Sequence, residues 1–313
     1  AQRACDRATA LYIMCKGAPG DVATHAHEPT ARDAFIRTLA ARLEDGFYPA
    51  LSLTWFINDE LQARFGYSQT VIRPDLREVT PVLYVDPLTD FKVTGFAGLK
   101  STDISSADIR LEWYYDSSNY SIGLFYKDLT NPIEAVELKG SDGNLLMSFR
   151  NAIGGEVYGV EAEVLQKLDM FEGDFGQIVD NFFVVSNFTY SESEIEIESL
   201  GETNLTNLVR PLTGHSKYVV NFQLGFDSDN DEHNATLTYN VFGKRIAFAG
   251  VNDKDDAYEQ PFNSLDFVYS YTPFESTSVK LSMKNILDED VEIMQQGELL
   301  QRRVEGQSYG VSF

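Results

Sequence analysis

Cysteine is nearly missing from this chain, long apolar runs are absent, and positive charge is outnumbered about two to one by negative. Its 313 residues include two cysteines, Cys5 and Cys15. Two cannot build a disulfide framework; one local bridge and two free thiols remain open. No stretch approaches the roughly 18 apolar residues that a membrane-spanning helix requires. The start, Ala-Gln-Arg-Ala-Cys-Asp, lacks the basic-then-apolar order of a secretory signal, so such a signal would have been removed or would precede the first residue. Lys and Arg number 25 against 48 Asp and Glu, a formal net charge of −23. Phosphate binding needs a basic surface that displaces counterions, so nucleic acid is not an expected partner. The acidity itself suits either a soluble acidic surface or a polar lumen with acidic loops.

Catalytic motifs are missing as well. The chain has no Gly-rich phosphate loop, no G-x-S-x-G elbow and no H-E-x-x-H. Abundant carboxylates do not by themselves make an acid/base pair, so neither an enzyme nor a cofactor is expected. Cys5, Cys15, His25 and His27 do not have the paired spacing of a structural zinc site. Asp227, Asp229 and Asp231 begin like a calcium loop but lack its Gly and its distant Glu, which leaves an acidic hairpin turn and no expected metal site.

What is present divides into two unequal segments. Residues 1–46 hold both cysteines, many alanines and a helix-forming stretch over 31–45, with Phe35, Ile36, Leu39 and Leu43 on one face. This segment reads as an atypical leader, possibly non-native. From 47 onward the pattern has a period of two. In Ala107–Asp116, Ala107, Ile109, Leu111, Trp113 and Tyr115 share one face, and Asp108, Arg110, Glu112, Tyr114 and Asp116 the other. The same alternation predicts eleven strands, near 51–57, 61–70, 106–116, 119–127, 155–168, 180–197, 215–228, 232–246, 261–272, 277–285 and 307–313. Short polar turns alternate with long connections at about 71–105, 128–154, 198–214, 247–260 and 286–306.

A soluble β-sandwich also alternates. Three features favour a wall between lipid and water. The apolar face is aromatic along long strands, as at Tyr218, Val220, Phe222, Leu224 and Phe226. Aromatics gather at strand ends (Trp113, Tyr115, Tyr126, Tyr190, Tyr269 and Tyr271), as interfacial girdles do. Charge persists in mid-strand at Arg110, Glu112, Glu161, Glu163 and Lys280, where a dry core would demand paired partners. Glu192, Glu194, Glu196 and Glu198 are expected on a solvated face above such a wall.

Several stretches resemble the barrels of TonB-dependent outer-membrane receptors. Ser68-Gln-Thr-Val-Ile-Arg-Pro74 resembles their Ser-x-Thr-x-x-Arg-Pro segment, and Phe125-Tyr-Lys with Pro132-Ile-Glu134 resembles a following strand and loop. Asn151-Ala152, Tyr158-Gly-Val-Glu-Ala-Glu163, Leu212-Thr-Gly-His-Ser-Lys217, Tyr239-Asn-Val-Phe-Gly-Lys-Arg245 and Tyr258-Glu-Gln-Pro261 follow in the family's order. They are most similar to a subgroup with a carboxypeptidase-regulatory-like N-terminal domain, in which Gln usually stands at the position of His215. Lys284-Asn-Ile-Leu-Asp288 and the ending at Phe313 resemble the family's closing hairpin.

The resemblance implies an all-β, antiparallel up-and-down transmembrane barrel portion, residues 47–313, with about 11 strands of a parent 22. It implies the outer membrane of a Gram-negative bacterium and energised uptake of a scarce nutrient, such as an iron chelate, a cobamide or an oligosaccharide. TonB would act through a plug, and neither plug nor TonB box is found in this sequence. Lipid, lipopolysaccharide, the barrel assembly machinery and a small nutrient are the expected partners. Tyr309, Val311 and Phe313 would form the assembly signal, and Arg73, Arg77, Tyr84 and Asp86 are candidate ligand contacts in the first long connection. The competing expectations are a passive porin and a soluble secreted β-rich binding protein.

Overall fold

The computed structural model describes residues 46–87, 91–139, 145–169, 171, 173, 176, 179–198, 205–274 and 277–313. The helix expected over 31–45, both cysteines, His25 and His27 lie outside the described residues.

Alternating side chains produce strands from the start. β1 (Ala50–Phe56) and β2 (Leu61–Ile72) form a hairpin tied by Asn58, whose side-chain oxygen accepts from the N–H groups of Glu60 at 2.9 Å and Leu61 at 2.8 Å. A one-turn helix, α1 (Leu76–Val79), follows with β3 (Leu83–Val85) and β4 (Lys92–Thr94). The next hairpin is β5 (Thr102–Tyr115) and β6 (Ser118–Thr130), with Asp116 in the left-handed region at φ 49°. β7 (Ile133–Lys139) and β8 (Leu145–Asn151) fill the second long connection. Then come β9 (Gly154–Lys167), β10 (Phe182–Glu196) and the two-residue β11 (Val209–Arg210). β12 (Tyr218–Asp227) and β13 (His233–Phe242) precede β14 (Arg245–Phe248) and β15 (Ala257–Glu259). β16 (Phe262–Phe274), β17 (Thr277–Lys284), β18 (Val291–Gln295), β19 (Glu298–Arg303) and β20 (Ser308–Ser312) complete the chain.

Eleven strands form one antiparallel wall in the order β1-β2-β5-β6-β9-β10-β12-β13-β16-β17-β20, with β11 beside β10. The strands expected from the sequence are these eleven, in this order. Bounds differ in places: β5 begins at Thr102, and the stretch read as one strand over 232–246 divides into β13 and β14. At that division the Gly243 N–H still donates to the Tyr218 carbonyl at 2.8 Å, after which the chain leaves the wall.

The register sorts side chains onto two faces. Across neighbouring strands, Leu53 meets Phe65, Phe65 meets Ile109, Ile109 meets Leu124 and Leu124 meets Val160. Phe222 likewise meets Tyr239, and Tyr239 meets Leu265. The other face carries ions. Arg64 Nε lies 3.1 Å from Glu112 Oε2, Arg110 Nε lies 3.3 Å from Glu112 Oε1, and Arg110 also pairs with Glu163. Tyr114 donates to Glu112 at 3.0 Å. A Cβ on Gly159 would sit 2.5 Å from the Tyr190 carbonyl oxygen, so that position of the Tyr158–Glu163 motif needs glycine for strand packing.

The buried apolar core is not in the middle of the wall. Val79, Val93, Ala97, Leu99, Val136, Ala152, Ile195, Ile197, Ile246, Ala249, Val251, Ala257 and Val291 all belong to the long connections or to the top of β10. Leu53, Ile109, Ile122 and Leu124 instead stay more than half exposed on the wall's apolar face. An apolar band of this extent needs lipid or a partner to cover it. Among the described residues no helix is long and apolar enough to cross a membrane. The long connections, expected as loops, build two further four-stranded sheets, β3-β4-β8-β7 and β14-β15-β18-β19.

Candidate functional site at the long-loop end

Wall parity puts the connections after β1, β5, β9, β12 and β16 at one end, the longest of them spanning the 14 residues between Lys167 and Phe182, and the five longer connections at the other. At the long-loop end the first connection opens at Arg73-Pro74, where Pro74 cannot continue the ladder. Asp75 then caps α1: its side chain accepts from the Arg77 N–H at 3.3 Å, and Glu78 accepts from the Asp75 N–H at 2.7 Å.

Asparagines fasten the connections at their bases. The Asn151 amide donates to the carbonyls of Lys100 at 2.9 Å and Asn131 at 2.8 Å, and its oxygen accepts from the Lys100 N–H at 2.8 Å. Asn285, at φ 51°, donates to the carbonyls of Glu289 at 2.9 Å and Gly306 at 3.1 Å. These are the asparagines of the Asn-Ala and Lys-Asn-Ile-Leu-Asp motifs, and their role here is structural.

A buried clasp joins the second and third connections. Arg210 Nη2 donates to Glu134 Oε2 at 3.0 Å, with the two side chains 1% and 5% exposed. Thr213 adds a hydroxyl donor to the same oxygen at 2.7 Å, and Arg210 Nη1 donates to Thr213 Oγ1 at 3.0 Å. Such a pair offsets its desolvation only through added hydrogen bonds of this kind. Next to it, the His215 ring bridges Ser191 and Ser193, each 2.9 Å away. Burial holds the His215 pKa below the usual histidine value, and Lys217 adds to the effect. Burial also raises the Glu137 carboxyl, with Lys254 opposing.

Three cavities surround the turn at Thr213–His215. The largest, 550 Å³, is walled by Arg210, His215, Lys217, Lys244, Arg245 and Tyr258 among others. A second of 300 Å³ brings Asp86, Thr213, Arg245, Glu259, Val291 and Arg303 together from four connections. A third of 430 Å³ includes Glu78, Glu134, Thr213 and His215. Arg245 stands between the first two, donating to both Glu259 oxygens at 2.8 Å with its guanidinium 4.1 Å from the Phe242 ring centre. Lys244 lies 4.0 Å above the Tyr258 ring.

The expected contact residues do not form one cluster. Asp86 lines the 300 Å³ cavity. Arg77 and Tyr84 line a separate 280 Å³ hollow with Leu76, Thr80 and Val82. Burial raises the Tyr84 pKa, while Arg77 opposes it. Arg73 is exposed at the end of β2 and lines none of these four hollows. Arg210, His215, Arg245 and Tyr258, none of them among the expected contacts, line the largest cavity instead, and each lies in or beside a family motif. At the opposite end, Tyr309 pairs with Met283 and Val311 with Leu281 on the apolar face, and Phe313 is 95% exposed.

The family profile "TonB dependent receptor-like, beta-barrel" matches residues 22–286. The chain belongs to the TonB-dependent receptor β-barrel family. This is a family of outer-membrane receptors and transporters rather than enzymes. The solved siderophore receptor PirA from Acinetobacter baumannii is similar at 14% identity and TM-score 0.55, over 84% of this chain and 40% of that one. A mutant of the ferric enterobactin receptor PfeA from Pseudomonas aeruginosa shows 16% identity and TM-score 0.53, over 84% and 38%. The FrpB iron transporter from Neisseria meningitidis shows 10% identity and TM-score 0.53, over 84% and 38%. At these identities the likeness is one of fold, and the chain spans about two fifths of each solved receptor. No curated protein sequence matches it significantly. In TonB-dependent receptors the short turns face the periplasm and the long loops the exterior, so the clasp and the three cavities belong to the external side.

Proposed function

We propose that residues 47–313 serve as the C-terminal barrel portion of a receptor in the outer membrane of a Gram-negative bacterium. The full receptor would import a scarce nutrient, an iron chelate, a cobamide or an oligosaccharide, with energy delivered by TonB through a plug. One observation carries this reading. The wall presents uncovered apolar side chains along its length, while the ordered buried core is reserved for a fastened layer of external connections that encloses cavities. A passive pore needs no such layer. Arg73, Arg77, Tyr84 and Asp86 remain proposed ligand contacts, with Asp86 supported by its place on a shared cavity. Tyr309, Val311 and Phe313 are proposed as the signal read by the assembly machinery, because each is exposed on or beyond the apolar face of the last strand. Residues 1–46 are proposed as a separate leader.

The experiment is nutrient uptake by cells carrying the full receptor, with and without TonB. Uptake that is saturable and lost without TonB supports the proposal. Uptake that persists without TonB would sink it in favour of a porin. Recovery of the chain as a detergent-free soluble monomer would sink the membrane assignment itself.

A further inference from the structure

We propose that the Thr213–His215 turn is an acid-opened latch, which fastens two connections and the wall together and lets go when His215 takes a second proton. Each of its three residues holds a different element. The Thr213 hydroxyl donates to Glu134 of the second connection at 2.7 Å. The Gly214 N–H donates to the Ile246 carbonyl of β14, where the fourth connection begins, at 2.8 Å. The His215 ring lies 2.9 Å from Ser191 and from Ser193 of the wall strand β10. Gly214 stands in the left-handed region at φ 77° with open space around it, which makes it the hinge of the turn. All three cavities described above border the turn, so its release would join them. That consequence for the receptor rests on the proposed function; the latch itself does not.

The hydrogen bonds at His215 suit the neutral ring. Ser193 Oγ also accepts from the Leu212 N–H at 3.1 Å, so its own proton goes to His215 Nδ1, and Nε2–H donates to Ser191. A protonated ring donates from both nitrogens. Ser193 would then accept from Nδ1 and Leu212 together, and its hydroxyl proton would lose its acceptor. Leu212 carries the disturbance inward, because its side chain packs against the buried Ala152, Ile195 and Ile197. The surrounding charges do not offset a second proton. Lys217 opposes it, and Glu192, which favours it, is already paired with Lys217 at 3.2 Å. Glu78 and Glu134 line one cavity beside the ring; Glu194, Arg210, Lys244, Arg245 and Tyr258 line another. Of these, Glu134 is committed to Arg210 and Arg245 to Glu259. Burial first, and then Lys217, hold the ring's pKa below its usual value. An exposed histidine takes its proton near pH 6.5 and the latched one only at lower pH, so acid favours the open turn, by at most about tenfold for each pH unit. Glutamine, usual at this position in the subgroup that the chain resembles, offers a donor and an acceptor without titrating.

The test is hydrogen–deuterium exchange, read by mass spectrometry, on the full chain assembled in lipid vesicles at about pH 7.5 and about pH 5.5, with the intrinsic exchange rates divided out. Acid is expected to speed exchange about three- to tenfold around Leu212 in the third connection. The same rise is expected in β7 of the second connection and in β14, while β6 and β9 of the wall keep their rates. His215→Gln should make the rates equal at the two pH values in all three elements. Should the glutamine disturb exchange already at neutral pH, His215→Asn is the second variant, with the same expectation. A response below about twofold in the unaltered chain, or one that survives the substitution, overturns the proposal. A response confined to the third connection overturns it too, because the turn would then have no hold on the other two. An equal response in β6 and β9 would mark general unfolding in place of a latch. Exchange involves no transport, so TonB-independent uptake would count against the proposed function and not against the latch.

Discussion

A lysine placed on the apolar face in mid-wall separates a lipid-facing sheet from a water-facing one. Leu124 of β6 is the site to use. It pairs with Ile109 on one side and Val160 on the other, with Ile122 and Tyr126 next along its face, and it is 57% exposed. Were that face in water, Leu124→Lys would forfeit less than half of a leucine's burial. At about 1.5–3 kcal/mol for a full leucine, the loss is about 1 kcal/mol, reduced further because lysine keeps its aliphatic stem over the sheet. Were it in lipid near the bilayer centre, the same change would cost about 2–4 kcal/mol. That is a factor of about 30 to 900 in the folding equilibrium. The control is Gln223→Lys on the opposite face of β12, paired with Val185 and Thr238, where a change of about 0.5 kcal/mol or less is expected. The assay is reversible guanidinium unfolding of the chain in phosphatidylcholine vesicles, with both variants beside the parent. Equal small shifts for the two substitutions would refute the lipid-facing assignment, and a larger shift for Gln223→Lys would invert the faces.

Arg210→Ala leaves Glu134 buried without its cation, and a loss of about 3–5 kcal/mol in local stability is expected. Limited proteolysis should then cut the second and third connections while the wall stays intact; cleavage unchanged from the parent would deny the clasp its role. Deleting Phe313, which is 95% exposed, should leave refolding in vesicles unchanged but lower the amount assembled in cells. An equal loss in both settings would make Phe313 a packing residue. The His215 pKa is lowered in the folded chain, so its contribution to stability is full above the unfolded value of about 6.5 and declines as pH falls below it. Protease sensitivity of the third connection should therefore rise below that pH, and His215→Gln should flatten the dependence; a profile unaltered by the substitution would assign it to another group.

The wall was legible because its information is local. Two-residue alternation is written into each strand, and polar turns such as Asn58–Glu60 mark where one ends. The external layer is written differently. Glu134 meets Arg210 across 76 positions, Asn151 meets Lys100 across 51, and Phe91 packs edge-on against Phe248 with ring centres 4.9 Å apart. No periodicity reports such pairs, which is why the long connections read as loops although they hold most of the ordered core. Arg73, Arg77, Tyr84 and Asp86 have in common only a place in the first long connection. The structure distributes them over separate surfaces because α1, set by the Asp75–Glu78 box, intervenes between β2 and β3. The motifs that carry the family resemblance also build the clasp. Pro-Ile-Glu ends on Glu134 and Leu-Thr-Gly-His contains Thr213, and these two meet at one carboxylate oxygen. Arg210, two residues ahead of the second motif, supplies the charge that makes their meeting stable. A motif whose polar residue is buried against another motif is under two constraints at once, and such pairs mark where the external layer is held shut.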